Sequence, residues 1–138
     1  MFSTKFVSAT RDYSTFEKMV PAPYLRKSFE IGALPAAASV TICGLGFYEL
    51  YVNGTRITKG LLAPYISNPD DILYYDRYDV KPLLKTGRNV IAVLLGNGML
   101  NCPGGDIWDF QLARFRSAPK AALAYEAESA DGEKTVFE

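Results

Sequence analysis

An all-β fold, two antiparallel sheets stacked as a sandwich, is predicted by three features of the 138-residue chain. Short β-branched and aromatic runs alternate apolar with polar residues, Gly/Pro/Asn turns separate them, and one run, Asn89 to Leu95, is apolar on both faces. The nine Tyr, eight Phe and one Trp add to the case, because aromatic side chains favour strands. The length suits a single domain over residues 1–138, with 1–20 as an N-terminal extension.

Taken in order, the extension up to Val20 alternates weakly and reads as a loosely paired strand plus a connection. Pro21-Ala22-Pro23 punctuates it, and Tyr24 to Ile31 follows as a strand. Ser39 to Cys43 alternates, so Val40 and Ile42 share a face, and Gly44-Leu45-Gly46 breaks the run. From Phe47 to Val52 the apolar set Tyr48, Leu50 and Val52 should point to the core. Phe47, Glu49 and Tyr51 point away from it. Asn53-Gly54 suits a type I′ hairpin, where both central residues need positive φ, and Thr55-Arg56-Ile57 starts the return arm.

Leu61 to Asp71 is turn-rich, and Ile72 to Val80 is a strand-like run carrying Tyr74, Tyr75 and Tyr78. Alternation puts Tyr74 and Tyr78 on one packed face. Asp79 caps a short helical turn, Val80 to Lys85, which Gly87 stops. Asn89 to Leu95 should be a central strand covered on both sides. Met99 to Ser117 is the longest irregular region. Lys120 to Ser129 has helical composition but also alternates, and Asp131-Gly132 after it signals a hairpin, so a strand is expected. The chain stops at Val136-Phe137-Glu138 inside a strand pattern, which points to a piece of a longer protein.

Fifteen basic residues balance fifteen acidic ones, against the basic excess of a nucleic-acid binder. No apolar run approaches the roughly 18 residues that span a bilayer, so no membrane partner is expected. Met1 to Phe6 lacks the apolar stretch of a signal peptide, which favours a cytoplasmic location. With no histidine, there can be no Ser-His-Asp triad, Cys-His dyad or His-ligated zinc. Cys43 and Cys102 lie in no CxxC arrangement and read as free thiols, with a disulfide as the alternative. No metal and no cofactor is expected.

Three groups of residues remain as candidate sites. A glycosidase needs two carboxylates about 5 to 9.5 Å apart, and Asp70, Asp71, Asp76, Asp79, Asp106 and Asp109 are the aspartates to weigh. Asp70 and Asp71 sit in a turn and Asp79 at a helix start. Only Asp106 and Asp109 flank an aromatic, Trp108, in a Gly-rich loop. A sugar can stack its C–H face on the indole while carboxylates accept from its hydroxyls, so Trp108, Asp106 and Asp109, with Tyr65 nearby, form a candidate carbohydrate-binding site. The alternative is that Trp108 and Phe110 anchor a long loop. Phe47, Glu49 and Tyr51 form a candidate interdomain face, since exposed aromatics call for a covering surface. Asn53-Gly54-Thr55 also matches a glycosylation sequon, though the hairpin accounts for the same residues.

Five stretches then occur in order: Ala22 to Phe29, Gly44-Leu45-Gly46-Phe47-Tyr48-Glu49-Leu50-Tyr51-Val52-Asn53-Gly54, Leu62-Ala63-Pro64, Tyr75-Asp76-Arg77-Tyr78-Asp79-Val80 and Val93 to Gly98. Together they resemble the N-terminal β-sandwich domain of bacterial α-L-rhamnosidases, from about Tyr24 to the end. The resemblance implies a galactose-binding-like jelly roll ahead of other β-domains and an (α/α)₆ barrel. It implies that the barrel holds the acidic residues that hydrolyse terminal α-L-rhamnose with inversion, and that this chain holds no catalytic residue. Its partners would be the other domains of the parent enzyme and rhamnose-containing glycans. The alternatives are a stand-alone carbohydrate-binding module and a purely structural packing module. Met99 and Leu100 stand where that family usually continues with an aromatic after Gly96-Asn97-Gly98, and the Cys102–Phe110 loop has no residue-by-residue match.

Overall fold

A computed structural model describes residues 5–104 and 108–138. Among these residues nine strands form: β1 (Val7–Ser8), β2 (Tyr24–Ile31), β3 (Ala37–Leu45), β4 (Phe47–Val52), β5 (Thr55–Arg56), β6 (Asp76–Asp79), β7 (Gly87–Gly96), β8 (Lys120–Glu128) and β9 (Lys134–Phe137). They make two antiparallel sheets. One runs β1-β8-β3-β6 with β9 also on β8, and the other runs β2-β7-β4-β5. β8 pairs with β3 along one edge and shares its other edge between β1 and β9.

The core lies between the layers and follows from period-two alternation. Val40 and Ile42 of β3 and Tyr125 of β8 face Tyr48, Leu50 and Val52 of β4 and Ile91, Val93 and Leu95 of β7. Each fully buried aliphatic of this kind contributes about 1.5–3 kcal/mol of transfer free energy. Along β4 buried residues alternate strictly with half-buried ones, as expected from its sequence.

The Asn53-Gly54 turn has φ of 50° and 84° at its two central residues, the signs a type I′ hairpin demands. The Asn53 side chain is fully engaged. Its Nδ2 donates to the Leu83 carbonyl and to Asn89 Oδ1, both at 2.8 Å, and its Oδ1 accepts from the Val90 N–H at 2.9 Å. That amide is committed to structure, so the hairpin reading displaces the sequon. Asn89, wholly buried, also accepts from the Lys85 N–H at 3.0 Å and donates to the Lys85 and Gly87 carbonyls at 2.6 and 2.8 Å. One side chain thereby satisfies the backbone where the chain turns into β7.

Four local expectations need correction. The run from Ile72 to Val80 is a strand only over Asp76–Asp79, where it pairs with β3. Tyr74 and Tyr75 are exposed in the preceding loop, and only Tyr78 packs against the core. Alternation in an aromatic-rich run carries no information about whether a partner strand lies opposite. β7 is central, between β2 and β4, yet only its inner residues are buried; Val90, Ala92 and Leu94 on the outer face are half-buried. β3 continues through Gly44 to Leu45, and the break falls at Gly46, whose φ is +93°. Gly44 stays in the strand because the Tyr48 ring occupies the space its Cβ would take. The turn after Asp79 is a single 3₁₀ turn, Lys81–Leu83, with Asp79 Oδ1 accepting the Lys81 N–H at 3.0 Å. Elsewhere β8 is the strand expected, closed by a turn at Gly132 (φ 88°) that leads into β9. Both cysteines are free thiols, Cys43 buried and Cys102 half-buried.

Two stability outcomes follow from this geometry. Asn89→Ala should cost about 2–4 kcal/mol in urea denaturation, because it strands several buried backbone groups at once. Gly46→Ala should cost at least about 2 kcal/mol, since its Cβ would sit 2.3 Å from the Gly96 carbonyl oxygen at a positive φ.

Candidate functional site

An open cleft of about 440 Å³ lies at one end of the sandwich, within the size range of small-ligand sites. Turns build it: the β3–β4 corner at Gly44 to Phe47, the loop from Pro64 to Pro69, and Gly98 to Leu100 after β7. Phe110 and Phe115 complete its apolar wall. Gly98 is required where it stands. Its φ is +52°, and a Cβ there would meet the Phe47 ring at 3.1 Å.

Two of the sequence-predicted carbohydrate residues, Tyr65 and Trp108, lie at or beside this cleft. Tyr65 lines it and is 84% exposed, with its ring edge-on to Tyr74 at 6.5 Å. Trp108 is 74% exposed and stacks on the cleft residue Phe110, with centroids 6.2 Å apart and planes 14° from parallel. Asp109 adopts a left-handed conformation (φ 47°), and its Oδ1 accepts from Gln111 Nε2 at 3.0 Å. Asp106 lies outside the described residues. The fold therefore brings Trp108 and Tyr65 to the margins of one apolar cleft through Phe110, and ties Asp109 to Gln111. Such a surface can stack on a flat apolar face; among the described residues of its lining there is no nucleophile–base pair.

Residues that sequence reasoning missed hold this end together. Asn101, wholly buried, accepts the Ser14 N–H on Oδ1 at 2.8 Å and donates to Asn97 Oδ1 at 2.9 Å. Asn97 Nδ2 donates to the Val20 carbonyl at 2.6 Å, and Ser14 Oγ accepts the Val20 N–H at 3.0 Å. The Arg116 guanidinium donates to the Ser14 carbonyl. The network pins residues 14–20 against the turn after β7. The available signal was two asparagines four positions apart beside Gly96 and Gly98, a pattern that also reads as a plain turn.

The remaining aspartates have local roles. Asp70 is an exposed turn residue, and Asp71 Oδ2 accepts from Asn68 Nδ2 at 2.6 Å. Asp76 accepts from the Tyr48 hydroxyl, which lies 3.0 Å from the Tyr78 hydroxyl. Burial, then the bonds to Asp76 and Tyr78, push the Tyr48 phenol far above its ordinary range, and burial raises Tyr78 and Tyr125. On the outer face of β4, Arg56 pairs with Glu49 at 3.0 Å, and the Tyr51 hydroxyl donates to Glu49. The Tyr51 bond, then Arg56, hold the Glu49 carboxyl below its usual range. No group of three or more potential metal ligands occurs among the described residues, and no described helix is long and apolar enough to cross a membrane.

Two further outcomes can be measured. Asn101→Leu should cost about 2–4 kcal/mol and open residues 14–20 to limited proteolysis, because it leaves the Ser14 N–H buried without an acceptor. The raised tyrosines keep their protons in the folded state while the unfolded chain loses them near pH 10. Stability should therefore be unaffected by these groups below pH 10 and fall above it, by up to about 1.4 kcal/mol per pH unit for each. Tyr48→Phe should make that alkaline decline shallower in pH-dependent denaturation.

Comparison with known proteins places this geometry. The α-L-rhamnosidase N-terminal domain profile matches residues 33–138. An α-L-rhamnosidase of Formosa agariphila is 39% identical over 77 residues, covering 56% of this chain and 8% of that protein. The solved α-L-rhamnosidase of Dictyoglumus thermophilum superimposes with TM-score 0.76 at 29% identity, over 96% of this chain and 15% of the other. That of Streptomyces avermitilis, solved in complex with L-rhamnose, does so with TM-score 0.72 at 26% identity, over 83% and 11%. The chain thus spans between 8% and 15% of the length of these relatives. Its two-sheet architecture, its ordered motifs and the match over residues 33–138 agree: the chain belongs to the family of α-L-rhamnosidase N-terminal domains.

Proposed function

We propose that this chain serves as a non-catalytic accessory domain of an α-L-rhamnosidase, which removes terminal α-L-rhamnose by inversion in a separate barrel domain. The observation that carries the reading is the family match across residues 33–138, in a chain that spans a small fraction of its enzyme relatives. The chemistry is consistent with it. An inverting hydrolase needs a protonated carboxyl and a carboxylate roughly 6.5–9.5 Å apart with room for water. Among the described residues, Asp71, Asp79, Asp76 and Asp109 are engaged with Asn68, a helix start, the Tyr48 hydroxyl and Gln111.

In this reading the sandwich braces the catalytic domain, with Phe47, Glu49 and Tyr51 available as an interdomain face. Trp108 and Tyr65 at the cleft margin, with Asp109 and, next to them in sequence, Asp106, contact carbohydrate near the substrate approach. Its exposed rings support this second role, since an exposed indole stacked on a phenyl ring presents a flat face to a sugar. Weak affinity suffices when the site is tethered beside an active site.

Aryl α-L-rhamnoside hydrolysis separates the two parts of the proposal. The complete polypeptide should turn the substrate over and release β-L-rhamnose first by NMR, and the 138-residue chain alone should not. Turnover by the short chain would place catalysis within it. Calorimetric titration of the short chain with L-rhamnose should show millimolar binding that Trp108→Ala abolishes. Because Trp108 is so exposed, the substitution should change stability by no more than about 0.5 kcal/mol.

A further inference from the structure

A run of exposed aliphatic side chains that neither the predicted β4 face nor the sugar-stacking rings account for lies on the loop between β5 and β6, which also carries Tyr65. Leu61, Leu62, Ile66, Ile72 and Leu73 are exposed by 72%, 67%, 60%, 56% and 42%. Scattered single exposures of this kind are ordinary, but five aliphatic side chains on one connection are not. The loop is held in place and is no loose tail. The Tyr48 N–H donates to the Ala63 carbonyl at 2.7 Å, and the Asp71 and Ile72 N–H groups both donate to the Asn68 carbonyl at 3.0 Å.

We infer that this loop docks onto another domain of the same polypeptide, through an apolar patch with Lys or Arg at its rim. The inference rests on the accessory-domain reading and names its contact surface. Three observations select the occupant. Leu and Ile have no ring face on which a sugar could stack, so these five side chains suit protein, while Tyr65 of the same loop lines the cleft. The charged residues between positions 61 and 73 are Asp70 and Asp71, which calls for basic groups opposite them. The relatives that share this domain carry most of their chain outside it. A domain tethered by the same backbone sits at roughly millimolar effective concentration, enough to hold a modest interface closed. Interfaces between domains of one chain are of that modest kind, about 600–1,500 Å².

Hydroxyl-radical footprinting of the complete polypeptide tests this, with the same protein denatured in guanidinium as the fully accessible reference. Leu61, Leu62 and Ile66 should label at least fivefold more slowly in the native enzyme. The double substitution Leu62→Glu/Ile72→Glu, at positions outside both the sandwich core and the cleft lining, should restore labelling at Leu61 and Leu73. Native labelling within twofold of the denatured rate would overturn the inference. So would protection that appears only at high protein concentration, which would indicate a second copy, or only with L-rhamnose present, which would indicate sugar. The rhamnoside assay keeps the two proposals apart. An active enzyme with a fully labelled loop defeats the docking surface alone, and an inactive one with a protected loop defeats only the assigned activity.

Discussion

Tyr48 is the side chain on which the two layers are keyed. It leaves β4 pointing inward, lays its ring over Gly44 of the opposite sheet, and ends in a hydroxyl bonded to Asp76 and facing Tyr78 on β6. A buried phenol needs a partner for its hydroxyl, and the acceptor it finds lies on the other sheet. That bond ties β6, paired with β3 by its backbone, to β4 of the other sheet. It also explains why β3 carries glycine at position 44, because a Cβ there would fall 2.5 Å from the ring. The aliphatic ladder of β4 and β7 against β3 and β8 then fills the remaining space.

Away from that core, the cleft end of the molecule is assembled by turns. The cleft depends on close backbone approaches at Gly46 and Gly98, and on a polar network from Ser14 to Arg116. Such a design leaves the sandwich rigid while its loops carry the variable surface. The rings of Tyr65 and Trp108 on the cleft margin and the aliphatic side chains of the loop that also carries Tyr65 are neighbouring features with different chemistry. Flat rings suit a sugar face, and branched aliphatics suit a protein surface.

The outer face of the β2-β7-β4-β5 sheet is less demanding of a partner than its composition suggests. Glu49, Tyr51 and Arg56 satisfy one another across β4 and β5. Phe47 is half-buried against Gly98. Phe47, Glu49 and Tyr51 are each half-buried, and their remaining exposed surface is what the proposed interdomain face offers.

Much of this was legible in the residues themselves. Period-two alternation identified Tyr48, Leu50 and Val52 as inward, and Asn53-Gly54 as the hairpin, because both are decided by local stereochemistry and the preference of apolar groups to leave water. The strand from Tyr24 to Ile31 was readable for the same reason. The tertiary structure alone decided what lies opposite each run. It started the tyrosine-rich strand only at Asp76, left Val90, Ala92 and Leu94 half-covered, and joined Ser14 to Asn101 across 87 positions. Local sequence carries propensity and periodicity, which are properties of neighbours along the chain. Pairing, burial and polar satisfaction belong to neighbours in space, and those exist only once the layers have closed.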